Sequence, residues 1–198
     1  YPVTLSSVGP DVTKDECRTT ELWLRLVLPG EFWLGSPKDE VGRNDSEILH
    51  HVTFTKPFYI GVFEVTQKQW ELVMGGNPSY FKEVADWAVR PVESVSYSTL
   101  RGFSGRYYNT SSWRYTPDTS EVESGCFLSR LRARSGNSSL DLPSSARWEY
   151  ACRAGTMAAL PTGKDILGAE TCANVAEMAW DAGNRTGQDA TPSSINVG

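Results

Sequence analysis

Between residues 22 and 36 the chain reads LWLRLVLPGEFWLGS, and its apolar positions alternate. Leu22, Leu24, Leu26 and Leu28 fall on one side of an extended backbone. Phe32 and Leu34 resume the alternation after Pro29-Gly30. Period two with a turn dipeptide in its middle predicts a β-hairpin. The stretch HVTFTKPFYIGVFEV, starting at His51, is rich in β-branched and aromatic residues. It predicts a strand, a bend at Pro57 and a second strand.

The period then changes. In VTQKQWELVMGGNPS, Thr66 and Gln69 have the spacing of a capping box, and Trp70, Val73 and Met74 share one helical face. Gly75-Gly76 ends that helix and Asn77-Pro78 opens a turn. RPVESVSYSTL predicts a short extended segment leading into a turn or helix start. Ser120 and Glu123 are spaced as a second capping box ahead of Phe127, Leu128 and Leu131, with Gly136 as the stop. A third helix is predicted in LPSSARWEYACRAG, residues 142–155. Trp148, Ala151 and Cys152 are expected on its buried face, Glu149 and Arg153 as an i,i+4 pair in the favourable order, and Gly155 at the C-cap.

Residues 1–20 read as a tail or linker, and 21–198 as the domain. Residues 103–120 are polar and aromatic without period, and read as an insertion loop. Short helices, hairpins and long loops together predict an α+β fold with much irregular structure.

Charge and hydropathy exclude two partner classes. The net charge is −5, and Arg130, Arg132 and Arg134 are spread around a helix rather than along one face, so nucleic acid is not an expected partner. No run of about 18 apolar residues occurs, so no membrane-spanning helix is expected. The chain opens on Tyr1 rather than Met, and its N-terminus gives no reading of localisation.

Cys17, Cys126, Cys152 and Cys172 are widely spaced with no C-x-x-C, which argues against a zinc site or a thioredoxin motif. Two disulfides are open in an oxidising compartment, and Cys126 with Cys172 is one such pair. Cys17 lies in a polar region and is expected to be exposed. Cys152 has three readings: a small core residue, half of a disulfide, or a ligand or nucleophile. His50 and His51 are adjacent on a strand and point to opposite faces, so a structural role is expected rather than one shared metal. Four N-x-S/T sequons, at Asn44, Asn109, Asn137 and Asn184, matter only in a glycosylating host.

Several phrases line up, in order, with one family. LVLPGEFWLGSPKDEVGRNDSEILHHVTFTKPFYIGVFEVTQKQWELVMGGNPSYF, RPVESVSYSTLRG, DLPSSARWEYACRAGT, ANVAEMAWDAGN and INVG resemble successive segments of the formylglycine-generating enzyme, or sulfatase-modifying factor, domain. The resemblance covers about residues 26–198. It implies a fold similar to that of the C-type lectins, with a small twisted antiparallel sheet, few helices and abundant loops. Active members oxidise a sulfatase cysteine to formylglycine with molecular oxygen, on copper(I) held by two cysteines near the domain's C-terminal end. Soft thiolates suit that ion. The family's next segment and that cysteine pair would follow Gly198, so the chain is expected to be a C-terminally incomplete fragment.

The resemblance also implies a structural Ca²⁺ at Asn174 and Val175, through a side-chain oxygen and a backbone carbonyl. A downstream carboxylate, Asp181 or Asp189, would add to them. In secreted members a cysteine at the Cys152 position pairs with one in the C-terminal half. Trp148, Glu149 and Tyr150 match the family's signature helix and are read as specifying the fold. Where the family has Thr-x-x-Glu, this chain has Ser144, Ser145, Ala146 and Arg147. Losing that carboxylate is expected to cost about 0.5–1 kcal/mol, so Arg147→Glu is expected to stabilise.

Three functions compete. The first is a copper- and oxygen-dependent oxidase with a sulfatase as client. The second is a non-catalytic, C-type-lectin-like module that binds protein, peptide or glycan, with Tyr107, Tyr108, Trp113 and Tyr115 suited to a binding surface. The third is a structural domain of a larger assembly.

Overall fold

The computed structural model describes residues 8–11, 13–102, 122–166 and 173–176. Among them are strands β1 (Leu24–Val27), β2 (Gly30–Leu34), β3 (His50–Phe54) and β4 (Phe58–Gly61). The helices are α1 (Glu16–Thr19), α2 (Gln67–Met74), α3 (Tyr97–Arg101), α4 (Phe127–Ser135), α5 (Ser145–Arg153) and α6 (Ala173–Ala176), with a 3-10 turn over Trp87–Val89. This is the α+β mixture that the sequence pattern implies. The predicted aromatic insertion at 103–120 lies outside the described residues.

The strands exist where alternation places them, but their pairing differs. β1 and β2 do not form a hairpin; β1 pairs with β4, and β2 with β3. Only Leu28 and Pro29 separate β1 from β2. A two-residue hairpin turn needs positive φ at its first central residue, and often at its second. Proline is held near −65°. Ser94 and Ala154 are the positive-φ non-glycines among the described residues, so Leu28 does not supply the turn. The chain leaves the first strand extended instead. The shared side of Leu22, Leu24, Leu26 and Leu28 is exposed, from 37% at Leu24 to 66% at Leu28.

Two compact units divide the chain: residues Tyr1–Arg25 with Tyr59–Leu142, and Leu26–Phe58 with Pro143–Gly198. In the first, α2 begins at a complete capping box. The Thr66 hydroxyl accepts from the Gln69 amide, and the Gln69 side chain accepts from the Thr66 amide. Gly75 closes it in the left-handed conformation at φ 85°. The expected face is buried: Trp70 and Val73 join Cys126, Phe127 and Leu128 in one cluster, with Met74 and Leu131 packed against it. The Trp70 and Phe127 rings lie parallel at 4.6 Å.

Ser120 of the expected Ser120–Glu123 box lies outside the described residues, and α4 begins beyond Glu123. Its N-cap is Cys126, whose sulfur accepts from the Ser129 amide at 3.5 Å. The cysteine caps a helix and fills the core at once. Gly136 stops α4 as expected, at φ 69°.

Polar side chains complete this unit from within. Gln67 is buried, and its carbonyl oxygen accepts from Asn77 Nδ2 at 2.9 Å. Asn77 Oδ1 in turn accepts from the Ser79 amide at 3.0 Å, and Glu93 Oε1 accepts from the Phe81 amide at 3.0 Å. The turn after α2 is therefore held by side chains where backbone ladders are missing. The N-terminal region takes part as well. The Thr66 hydroxyl donates to the Arg18 carbonyl, and Gln69 Nε2 donates to the Glu21 carbonyl at 2.6 Å. Cys17 is buried, against expectation, and its thiol donates to the Asp11 carbonyl at 3.3 Å. A polar neighbourhood in sequence does not report burial that arises by folding back on α1.

Candidate functional site

The second unit is organised by α5, whose N-cap Ser144 accepts from the Arg147 amide at 3.4 Å. Its packed side agrees only in part with the one that apolar periodicity selects. Ala151 and Cys152 are half-buried, but Trp148 is 57% exposed. Tyr150 packs instead, with its ring centroid 5.1 Å from both Phe32 and Phe54 and 6.4 Å from Phe58. Its hydroxyl occupies the space where a side chain on Gly30 would stand. A larger residue at position 30 would displace the tyrosine hydroxyl. The C-cap is Ala154, in the left-handed region at φ 48°, one residue before the expected Gly155.

Glu149 and Arg153 form the expected ion pair, with Arg153 Nε donating to Glu149 Oε1 at 2.8 Å. The pair does more than brace the helix. Glu149 Oε1 also accepts from the Gly35 amide at 3.0 Å, while Arg153 Nη2 donates to the Gly35 carbonyl at 2.9 Å. Both backbone groups of one residue are thereby held by one turn of α5. Gly35 sits at φ 93°, and a Cβ there would meet the Ile48 carbonyl oxygen at 2.7 Å. The glycine is needed twice over, for its dihedral and for the close approach.

Gly35 starts the segment that returns to β3. A bridge between Ser36 and Ile48 closes its base. Glu47 holds the interior, with its carboxylate accepting from the Ser36 hydroxyl and from the Asn44 amide. The Ser36 hydroxyl first, then the Asn44 amide and the charge of Arg43, keep the Glu47 carboxyl below its ordinary value of 4.5. A depressed carboxylate stabilises its surroundings above its unfolded value, and that contribution is lost as pH falls through the folded value. The hold of Glu47 on the segment should therefore weaken as pH falls through its lowered folded value. The Asn44 amide resonance, followed by NMR during acid titration, should move with an apparent midpoint under 4.5. A midpoint at or above that value would overturn the assignment.

Arg147, in the first turn of α5, has a contact of its own. Its guanidinium carbon lies 5.5 Å from the centroid of Phe58. An exposed cation–π contact is worth about 0.5–1 kcal/mol, similar to the missing capping carboxylate. The stabilisation expected for Arg147→Glu is accordingly offset. Its melting temperature should stay within about 2 °C of the parent, and a rise of several degrees would show that the ring contact contributes nothing.

The described thiols serve the fold one at a time. Cys17 donates to a carbonyl, Cys126 caps α4, and Cys152 lies on α5; all three are free. Cys172 lies outside the described residues. Cys17 and Cys126 are engaged singly, one by a carbonyl and one by the N-terminus of α4. His50 and His51 also act apart: His50 Nδ1 is 2.7 Å from the Ile48 carbonyl, and His51 faces Trp33 and Glu31.

Asn174 and Val175 both fall in α6, and Asn174 Nδ2 donates to the Asp165 carbonyl at 2.8 Å. With its nitrogen so engaged, the Asn174 amide has its oxygen left as an acceptor. Asp181 and Asp189 lie outside the described residues. Among the described residues no group of three or more His, Cys, Asp or Glu side chains converges as a metal site. No helix among them is long and apolar enough to cross a membrane.

Comparison with known proteins adds a family. The family described as "Sulfatase-modifying factor enzyme 1-like domain" matches residues 10–196. A curated relative, "Chaperone protein LppX" of Paenibacillus barcinonensis, is 37% identical over 107 residues. That alignment takes in 50% of this chain and 36% of the relative, so the chain spans about a third of that protein's length. Among solved structures, one titled "Structure of PvdO from Pseudomonas aeruginosa" is similar at 23% identity and a TM-score of 0.47, covering 67% of this chain and 47% of that one.

Proposed function

Because the chain belongs to the sulfatase-modifying factor enzyme 1-like domain family, we propose that the protein works on a polypeptide client. The described part supplies a rigid frame and an apolar surface that holds the client. One observation carries this reading. The second unit displays large apolar side chains around its locked frame: Leu28, Ile48, Trp148 and Met157 are each more than half exposed. Tryptophan and methionine are enriched where proteins bind other proteins. The family's signature helix supports it from the other side, since Glu149, Tyr150 and Arg153 are all engaged in architecture while Trp148 is left facing outward. The relative named as a chaperone protein is consistent with a polypeptide client.

The family favours a second reading, in which the full protein oxidises a sulfatase cysteine to formylglycine with copper and oxygen. The two thiolates for that chemistry would come from residues other than Cys17, Cys126 and Cys152. One experiment separates the readings. A labelled peptide containing C-x-P-x-R is offered to the full-length protein with copper and oxygen, while binding and aldehyde formation are followed together. Binding without aldehyde supports client holding, aldehyde supports the oxidase, and neither result overturns both. Trp148→Ala should weaken binding at least fivefold while leaving the melting temperature nearly unchanged. Unaltered affinity would remove Trp148 from the client surface.

Asn174 and Val175 are proposed to contribute to a structural Ca²⁺ site. The support is the family correspondence and the Asn174 side-chain oxygen, to which none of the described residues donates. Chelation is expected to lower the melting temperature of the full protein by several degrees, with recovery on adding calcium. An unchanged melting curve would dismiss the ion.

A further inference from the structure

We draw no further inference here: the strongest candidate, the cleft lined by Met74, Ser98, Thr99, Glu123 and Cys126 beside the start of α4, rests on a lone cysteine already used to cap that helix, with no second observation pointing to a ligand.

Discussion

Trp70→Ala is expected to cost about 3–5 kcal/mol, the range for truncating a large aromatic in a packed core. Trp70 is 2% exposed and lies flat against Phe127, which is 4% exposed. Its removal takes away the partner of that ring and leaves a cavity between α2 and α4. The partly buried Val65, Val92 and Leu100 around the cluster come from separate segments, so collapse to fill the space would have to move several backbones at once. At about 2–4 °C per kcal/mol for a chain of this size, the melting temperature should fall by roughly 6–20 °C. Trp70→Phe, which keeps a stacking ring, should fall by less than half as much. Thermal unfolding of the two variants checks this. Equal losses would mean that neither the ring contact nor the volume kept by a phenyl group contributes at this position.

The second large effect belongs to Glu149. In Glu149→Ala the Gly35 amide and Arg153 Nε lose their shared acceptor, and Arg153 is left with a largely buried charge. Hydrogen bonds to charged groups are worth about 1.5–3 kcal/mol, and an unpaired buried donor costs a similar amount. A loss of about 2–4 kcal/mol is expected. Arg153→Ala should cost a similar amount: Glu149 still accepts from Gly35, but the Gly35 and Ala158 carbonyls both lose their donor. The double variant should be milder than the sum of the singles by about 1–2 kcal/mol, since each single already breaks their mutual bond. A double-mutant cycle in urea measures this directly. Strict additivity would show that the two side chains hold Gly35 independently.

Local patterns were readable in the sequence to the extent that their causes are local. The Thr66–Gln69 box, the Trp70–Val73–Met74 face and the glycine stops at 75 and 136 depend on residues within a turn or two. Strand positions were readable for the same reason, from alternation. Strand partners were not, because the turn signal at Pro29-Gly30 resembles a hairpin until the dihedrals of Leu28 and Pro29 are considered. On the signature helix, apolar periodicity misplaces Trp148. Apolar counting favours Trp148 and Cys152, whereas the packed side uses an amphipathic tyrosine and an ion pair. Their value comes from Gly30 and Gly35, more than a hundred residues away in sequence. The chemistry was least legible. Cysteine spacing says nothing of what each sulfur does, and Cys17 and Cys126 are occupied by contacts that only folding creates.

The segment from Ser36 to Leu49 is fastened at its neck, by the hold on Gly35 and by the bridge from Ser36 to Ile48. Such a neck insulates the hairpin from whatever lies between. Doubling the length of a loop costs only about 0.6 kcal/mol in closure entropy. Residues 38–42 can then be exchanged or lengthened as a cassette while Arg43 keeps its bond to the Ser36 carbonyl and the β2–β3 register stays fixed. Recognition could diversify there without renegotiating the fold, and a laboratory library placed there would vary the surface on a constant frame.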